Sequence, residues 1–415
     1  MRIYHQHVYN IKKIIPEKLG NKAILISLIM GFYMLGWGFV NPIFSIYLNQ
    51  IISSNILVGL VFGLNALLGI VLSLPIGRLI DRVNKIKLLT LSLLAYMFIV
   101  FGYIVSWFNH SVIFIVRILH GVMILFVWIT SEAILRHSSK DIEHAFSFYL
   151  FTQKFMTVVG GIGLISLLYF QIITIENLFL TFLFLLALII SAAMLTPFFF
   201  ATKQIWNNNL IGKSCKLIRK DRFMLNEIRD ISQFGRNVHM MMIIRFVQDM
   251  FVTAIAIFFP IMIFKLNYPL WQIVGIALIP ELLFILLPRI PKLARKYGDL
   301  KLLTILTITA GGAGIGITLF ENLIGFIILY SICIGSIFLS SPIINKLITK
   351  NVNKKDYGEL TGGLTLASKV GILIGGIGAG YLADVATYEI TFITFSVTLI
   401  IISLVTLLYY KIKGD

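Results

Sequence analysis

The stretch GRLIDRVNKIKLLT, residues 77–90, returns 214 positions later as PKLARKYGDLKLLT, residues 291–304. Each is a basic turn set between long apolar runs. Two further pairs keep nearly the same offset. Pro42-Ile43 followed by Leu48-Asn49 matches Pro260-Ile261 followed by Leu266-Asn267, 218 positions on. Lys154, six residues before Gly160-Gly161-Ile162-Gly163, matches Lys369, six before Gly375-Gly376-Ile377-Gly378, 215 positions on. Three matches at close to one offset mean that the chain contains an internal duplication.

The runs around these turns are too long and too apolar for a soluble core. Of 415 residues, 58% are hydrophobic and 13% charged, against about 25% charged in soluble domains. Twelve runs can cross ~30 Å of hydrocarbon, at about 24–48, 55–79, 88–108, 112–136, 144–170, 177–200, 237–263, 270–290, 302–320, 322–347, 359–383 and 388–411. Backbone groups in lipid must be satisfied within their own segment, so these are read as α-helices. The ten-residue alternation of a membrane barrel is not seen. The first run is about 25 residues long with no small-residue cleavage site after it, and it is read as a membrane helix rather than a signal peptide.

Charge placement gives orientation. With the N-terminus inside, the inner stretches carry 5, 4, 2, 8, 5, 4 and 2 of the 35 Lys and Arg residues, and the opposite side carries only Lys265. The other four, Arg117, Lys154, Arg245 and Lys369, fall inside predicted helices. By the positive-inside rule both termini are cytoplasmic, which predicts a multi-pass protein of a plasma or inner membrane. The net charge of +17 sits in short blocks at the membrane surface, so a nucleic-acid partner is not expected. Cys215 and Cys333 make neither a disulfide framework nor a metal site. No cofactor and no enzymatic constellation is found, and the G-x-x-x-x-G-K-S/T loop that ATP-driven transport needs is missing. The polar stretch 201–236 splits the helices six and six, giving bundles over 1–200 and 237–415. Its KLIRKDRFMLNEIRD portion reads equally as an amphipathic surface helix or a solvated linker.

Two six-helix repeats in one orientation enclose a central path about an axis along the membrane normal. At this point the sequence resembles the major facilitator superfamily. The family's loop between helices two and three, G-x-L-x-D-R-x-G-R/K, is matched by Gly77, Leu79, Asp81, Arg82 and Lys85, with Asn84 at the second glycine. Its R-x-x-x-G element in helix four is matched by Arg117-Ile118-Leu119-His120-Gly121. The glycine-proline motif of the family's drug:proton antiporters is met in part: helix five has Gly160, Gly161 and Gly163 but no proline. The resemblance covers the whole chain. It implies the all-α major facilitator fold and alternating-access transport of a small solute, proton-coupled and favouring export, by a monomer in the bilayer. The alternatives are an importer or uniporter of an anionic solute using Lys154 and Lys369, a lipid flippase, or a receptor without flux. It also implies that Gly77, Asp81, Arg82 and Lys85 form a latch, with Asp81 facing the start of helix eleven near Tyr357-Gly358-Glu359. A carboxylate there is favoured by ~0.3–2 kcal/mol.

Ionisable groups at mid-bilayer cost at least ~2.5–3.5 kcal/mol, so each calls for a partner or a task. Lys154 and Lys369 lie near mid-depth and are read either as cavity cations for an anionic solute or as members of ion pairs, Lys154 with Glu281. Arg245 and Asp249 are one helical turn apart and can pair on one face. Asp249 and Glu281 are the proton-coupling candidates, because burial favours a protonated carboxyl and exposure releases the proton. Arg117 lies in the outer third of helix four and is grouped with the translocation path. So are Tyr33, Trp37 and Asn41, which recur at helical spacing in a helix loosened by Gly31, Gly36, Gly38 and Pro42; the same stripe could equally pack against neighbouring helices. The paired glycines Gly371/Gly375 and Gly376/Gly380 read as close-packing surfaces without chemistry.

The orientation has a direct check. With Cys215 and Cys333 replaced by serine, a single cysteine at Asn267 should be modified by an impermeant reagent in intact cells. One at Asn84 should react only after permeabilisation; the reverse pattern would overturn the assigned topology.

Overall fold

A computed structural model describes residues 21–138, 142–199, 236–320, 322–349 and 357–413. The loop 201–235, and with it the whole of the candidate amphipathic segment, lies outside the described residues. Among the described residues twelve longer helices follow in order, α1 Asn21–Ile51, α2 Asn55–Arg82, α3 Lys85–Phe108, α4 Val112–Ser138, α5 Ile142–Tyr169, α6 Leu180–Phe199, α7 Arg236–Lys265, α8 Leu270–Leu282, α9 Asp299–Gly316, α10 Leu323–Thr349, α11 Tyr357–Val385 and α12 Tyr388–Lys413, with a short helix Ile290–Tyr297 between α8 and α9. Ten are long and apolar enough to cross a membrane, while the apolar stretches Leu180–Thr196 and Leu270–Leu282 are shorter. Large apolar side chains such as Phe98, Phe101 and Ile115 point outward, more than half exposed, as lipid-facing groups would.

The packing repeats as the sequence does. Within the first six helices α1 packs on α4, α5 and α6, α2 on α4, and α3 on α4 and α6. Within the second six, α7 packs on α10, α11 and α12, α8 on α10, and α9 on α10 and α12. Each of these contacts in the first half has its counterpart six helices later. Between the halves, α2 meets α11 and α5 meets α8, again a related pair, while α1 touches α7 and α8.

The halves differ at two places. The eighth span, expected as one helix over 270–290, is α-helical for 13 residues and then continues as a seven-residue 3-10 segment, Leu283–Arg289. Pro280 weakens the ladder just before the change. Thirteen residues at 1.5 Å cover only ~20 Å, and seven at ~2.0 Å add ~14 Å, so the looser winding lets a short segment cross. The second difference is the turn after it. Asn84 caps α3, its Oδ1 accepting from the N–H groups of Ile86 at 3.1 Å and Lys87 at 3.2 Å. The matched position is Gly298, with φ of 88°, a left-handed backbone that glycine alone adopts freely. The asparagine at the family's glycine position is therefore a helix cap.

Glycines set how closely the helices approach. A side chain at Gly59 of α2 would run into the carbonyl of Gly376 of α11, and one at Gly380 into the carbonyl of Asn55. The other pair on α11, Gly371 and Gly375, faces Phe246 and Met250 of α7. Gly160 and Gly161 repeat this division on α5: Gly160 meets α1 at Leu35, and Gly161 meets α8 at Leu278. Adjacent glycines thus serve two neighbours, one in each half.

At the end of the bundle away from the 77–90 turn, a carboxylate joins the halves. Asp384, at the close of α11, accepts from Ser54 Oγ at 2.9 Å and from the backbone N–H groups of Asn55 at 3.1 Å and Ile56 at 2.9 Å. These are unpaired donors of the first turn of α2, where the helix dipole favours a negative charge. Tyr388 Oη donates to Asn55 Oδ1 at 3.0 Å, Lys265 lies 5.0 Å above the Tyr388 ring, and Tyr169 of α5 packs edge-on against Trp271 of α8.

Two outcomes follow. Gly59→Val should cost about 1–3 kcal/mol by overpacking, while Gly312→Ala, which has open space around it, should stay within about 0.5 kcal/mol; comparison of their thermal unfolding checks this. Asp384→Asn should weaken the far-end closure by about 0.3–1 kcal/mol. It should be read as faster modification of a cysteine at Ser53, and an unchanged rate would sink the capping role.

Candidate functional site

Between the halves, near the middle of the helices, the described charged side chains gather along one seam. Lys154 is the thirteenth residue of α5, and Lys369 the thirteenth of α11. The repeat therefore sets both lysines at one depth. Their surroundings differ. Lys154 Nζ lies 2.6 Å from Glu281 Oε2 on α8, with side chains 31% and 19% exposed, and 4.5 Å from the centroid of the Phe338 ring. This ion pair spans the two halves, so any motion that parts α5 from α8 breaks it.

In the second half Arg245 Nε lies 2.7 Å from Asp249 Oδ2. Arg245 also donates from Nη1 to Ser341 Oγ at 3.1 Å. Asp249 Oδ2 makes no aligned hydrogen bond, so the contact is chiefly Coulombic. Lys369 lies within electrostatic reach of Asp249, of Arg117 and of His120, and its aliphatic stem lies across Gly69 of α2. Among the described residues Lys369 has no carboxylate at ion-pair distance.

Arg117, on α4, is held by dipoles and rings. Its Nε donates to the Val61 carbonyl at 3.1 Å and its Nη1 to Tyr103 Oη at 3.1 Å. The guanidinium carbon lies 4.8 Å from the Phe44 centroid and 5.1 Å from that of Phe62. Its Nη1 also approaches His120 Nδ1 to 3.0 Å. A guanidinium can only donate, so Nδ1 is the acceptor and the ring proton sits on Nε2, which faces Tyr96 Oη at 2.7 Å. A second proton on His120 would point at Arg117. The imidazole is therefore held neutral in one tautomer, and it stacks on Trp37 with centroids 5.1 Å apart.

The remaining sequence candidates fall in different places. Trp37 is buried, its indole Nε1 directed at the Tyr33 hydroxyl; Tyr33 is fully buried in the core of the first half, edge-on to Tyr96 at 5.5 Å. Tyr33 and Trp37 belong to one buried core cluster. Asn41 is exposed on α1. Lys85 opens α3 and is half-buried. The burial of Gly77 and the side chains of Asp81, Arg82 and Glu359 lie outside the described residues. Two functional groups were missed. His120 stood unremarked inside the R-x-x-x-G match. Asp384 bridges 328 to 330 positions of sequence; the only hint was an acid at a helix end beside a short loop.

Comparison with known proteins accords with this geometry. The Major Facilitator Superfamily matches residues 26–352. An uncharacterised MFS-type transporter of Methanocaldococcus jannaschii is 26% identical over 371 residues, covering 85% of this chain and 88% of its own. Among solved structures, the nucleoside transporter NupG superposes with a TM-score of 0.73 at 12% identity, over 94% of this chain and 99% of that one. The POT family transporter PepTSo gives 0.73 at 13%, over 95% and 98%. A POT family transporter in complex with 5-aminolevulinic acid gives 0.69 at 14%, over 94% and 96%. Twelve helices in two matched bundles, a charged seam between them and a family match over most of the length lead to one conclusion: the chain belongs to the major facilitator superfamily and is a secondary transporter, not an enzyme.

Proposed function

We propose that this protein is a proton-coupled transporter of a small organic solute, working by alternating access about the seam between its halves. The observation that carries the reading is the pair of mid-depth ion pairs there, Lys154 with Glu281 across the halves and Arg245 with Asp249 beside them. A carboxylate in such a place exchanges protonated and ionised forms as its access to water changes. The groups facing Asp249 are Arg245, Ser368 and Lys369. Protonating Asp249 releases Arg245 and removes a negative charge from next to Lys369. Proton binding and binding of a negatively charged solute then favour one another, which is the thermodynamic condition for carrying both in one direction.

This coupling supports the importer of an anionic solute over the drug:proton antiporter. Antiport of a lipophilic cation would need a negative site. Here the described mid-depth cations outnumber the carboxylates on the seam, three (Lys154, Arg245, Lys369) to two (Asp249, Glu281). The missing proline in α5 points the same way.

The test uses spin labels at Ser53→Cys and Ala386→Cys, one in each half at the far end, in a background lacking the two native cysteines. Lowering the pH from 8 to 5.5 should change the ratio of short to long distances by about threefold or more, a shift of ~0.7 kcal/mol. In Asp249→Asn, which mimics the protonated form, the ratio should no longer respond. A pH response that survives in Asp249→Asn would remove Asp249 from the coupling.

A further inference from the structure

Two of the cations within the membrane have no carboxylate at ion-pair distance among the described residues. Lys154 and Arg245 are each matched to a carboxylate. Arg117 is 5% exposed and is balanced only by a carbonyl, a phenol, an imidazole and two ring faces. Its Nη2 makes no hydrogen bond among the described residues. Lys369 is half-buried, and its ammonium takes part in no hydrogen bond or ion pair there. A charge in such surroundings is costly unless something compensates it. The neutral tautomer enforced on His120 relieves the site of a third positive charge but supplies no negative one. Trp37 stacks on that imidazole, and its buried indole N–H is directed at the Tyr33 hydroxyl in the core.

We infer that Lys369, backed by Arg117, forms a subsite for the anionic group of an organic solute, a carboxylate in the first instance. The inference rests on the seam being the solute path. It deepens that reading by naming the residue that meets the solute's charge. The two lysines that the repeat sets at equal depth thereby divide the labour: Lys154, held by Glu281, joins the halves, and Lys369 is left for the ligand. The α2 surface between them is small and close. Gly69 lies under the Lys369 stem, and Asn65, one turn away, touches Gly121 next to His120. The solute's anion would therefore lie between α2, α4 and α11, where α2 and α11 make their contact between the halves.

The potential at this point can be measured without knowing the solute. In purified protein lacking its native cysteines, Asn65→Cys should react with anionic sulfonatoethyl methanethiosulfonate at least about tenfold faster than with the cationic trimethylammonium reagent, relative to a free thiol. That preference should collapse in Lys369→Gln, return in Lys369→Arg, and persist in Lys346→Gln, an exposed lysine elsewhere. Organic carboxylates of two to ten carbons should protect the cysteine saturably, and inorganic phosphate and chloride should not. No charge preference, a preference that survives Lys369→Gln, or no reaction with either reagent would overturn the subsite. Protection by phosphate or chloride alone would overturn its assignment to an organic anion. The measurement is made in detergent without a gradient, so it stands or falls independently of the pH response that tests proton coupling.

Discussion

Backbone-to-backbone contact between helices is the constraint on which this molecule depends. In hydrocarbon there is no hydrophobic drive to bring helices together, so association rests on close packing and on the few polar links that lipid cannot compete for. Gly59 and Gly376 let α2 and α11 touch main chain to main chain, and Gly380 continues the seam to the start of α2. The same α11 uses Gly371 and Gly375 to hold α7. One helix is thus bound tightly both inside its own half and across to the other. The charged groups of the seam hang from helices whose spacing these glycines determine. Were α11 held a side chain's width further off, Lys369 could not lie against Gly69.

The repeat explains why the two sides of the seam look alike in outline and differ in chemistry. Duplication supplied two lysines at equal depth and two pairs of adjacent glycines. Divergence then acted on their neighbours. Glu281 on α8 neutralises Lys154. The α2 residue that faces Lys369 is Gly69, which offers space and no charge. An arrangement symmetric in shape and asymmetric in charge suits a carrier, because one interface can act as hinge and brace while the other meets the cargo.

Much of this was legible in the residues, for identifiable reasons. Spans, repeat and fold follow from apolar length and from offsets between Pro42 and Pro260, or Lys154 and Lys369, because lipid permits so few backbone solutions. The Arg245–Asp249 contact follows from helical spacing alone. What spacing does not carry is contact between distant helices. Asp384 reaches a helix start more than 300 residues earlier, and no local pattern marks that. Nor could periodicity tell that Tyr33 and Trp37 pack into the core while Asn41, next on the same stripe, is exposed. The 3-10 segment after α8 was hidden because hydropathy reports length in residues and not in ångströms.

The exposed position of Asp384 has a consequence of its own. Its link to the first turn of α2 is made at the surface, where the attraction between a carboxylate and a helix dipole is screened by dissolved ions over ~8 Å at physiological strength and ~3 Å at 1 M salt. The glycine contacts behind it are uncharged and do not respond to salt. The closed far end is therefore held by one component that the medium can weaken and one that it cannot. Rising salt therefore loosens the carboxylate link while leaving the glycine contacts as they are, so the two components of that end separate according to the ionic strength of the water that bathes it.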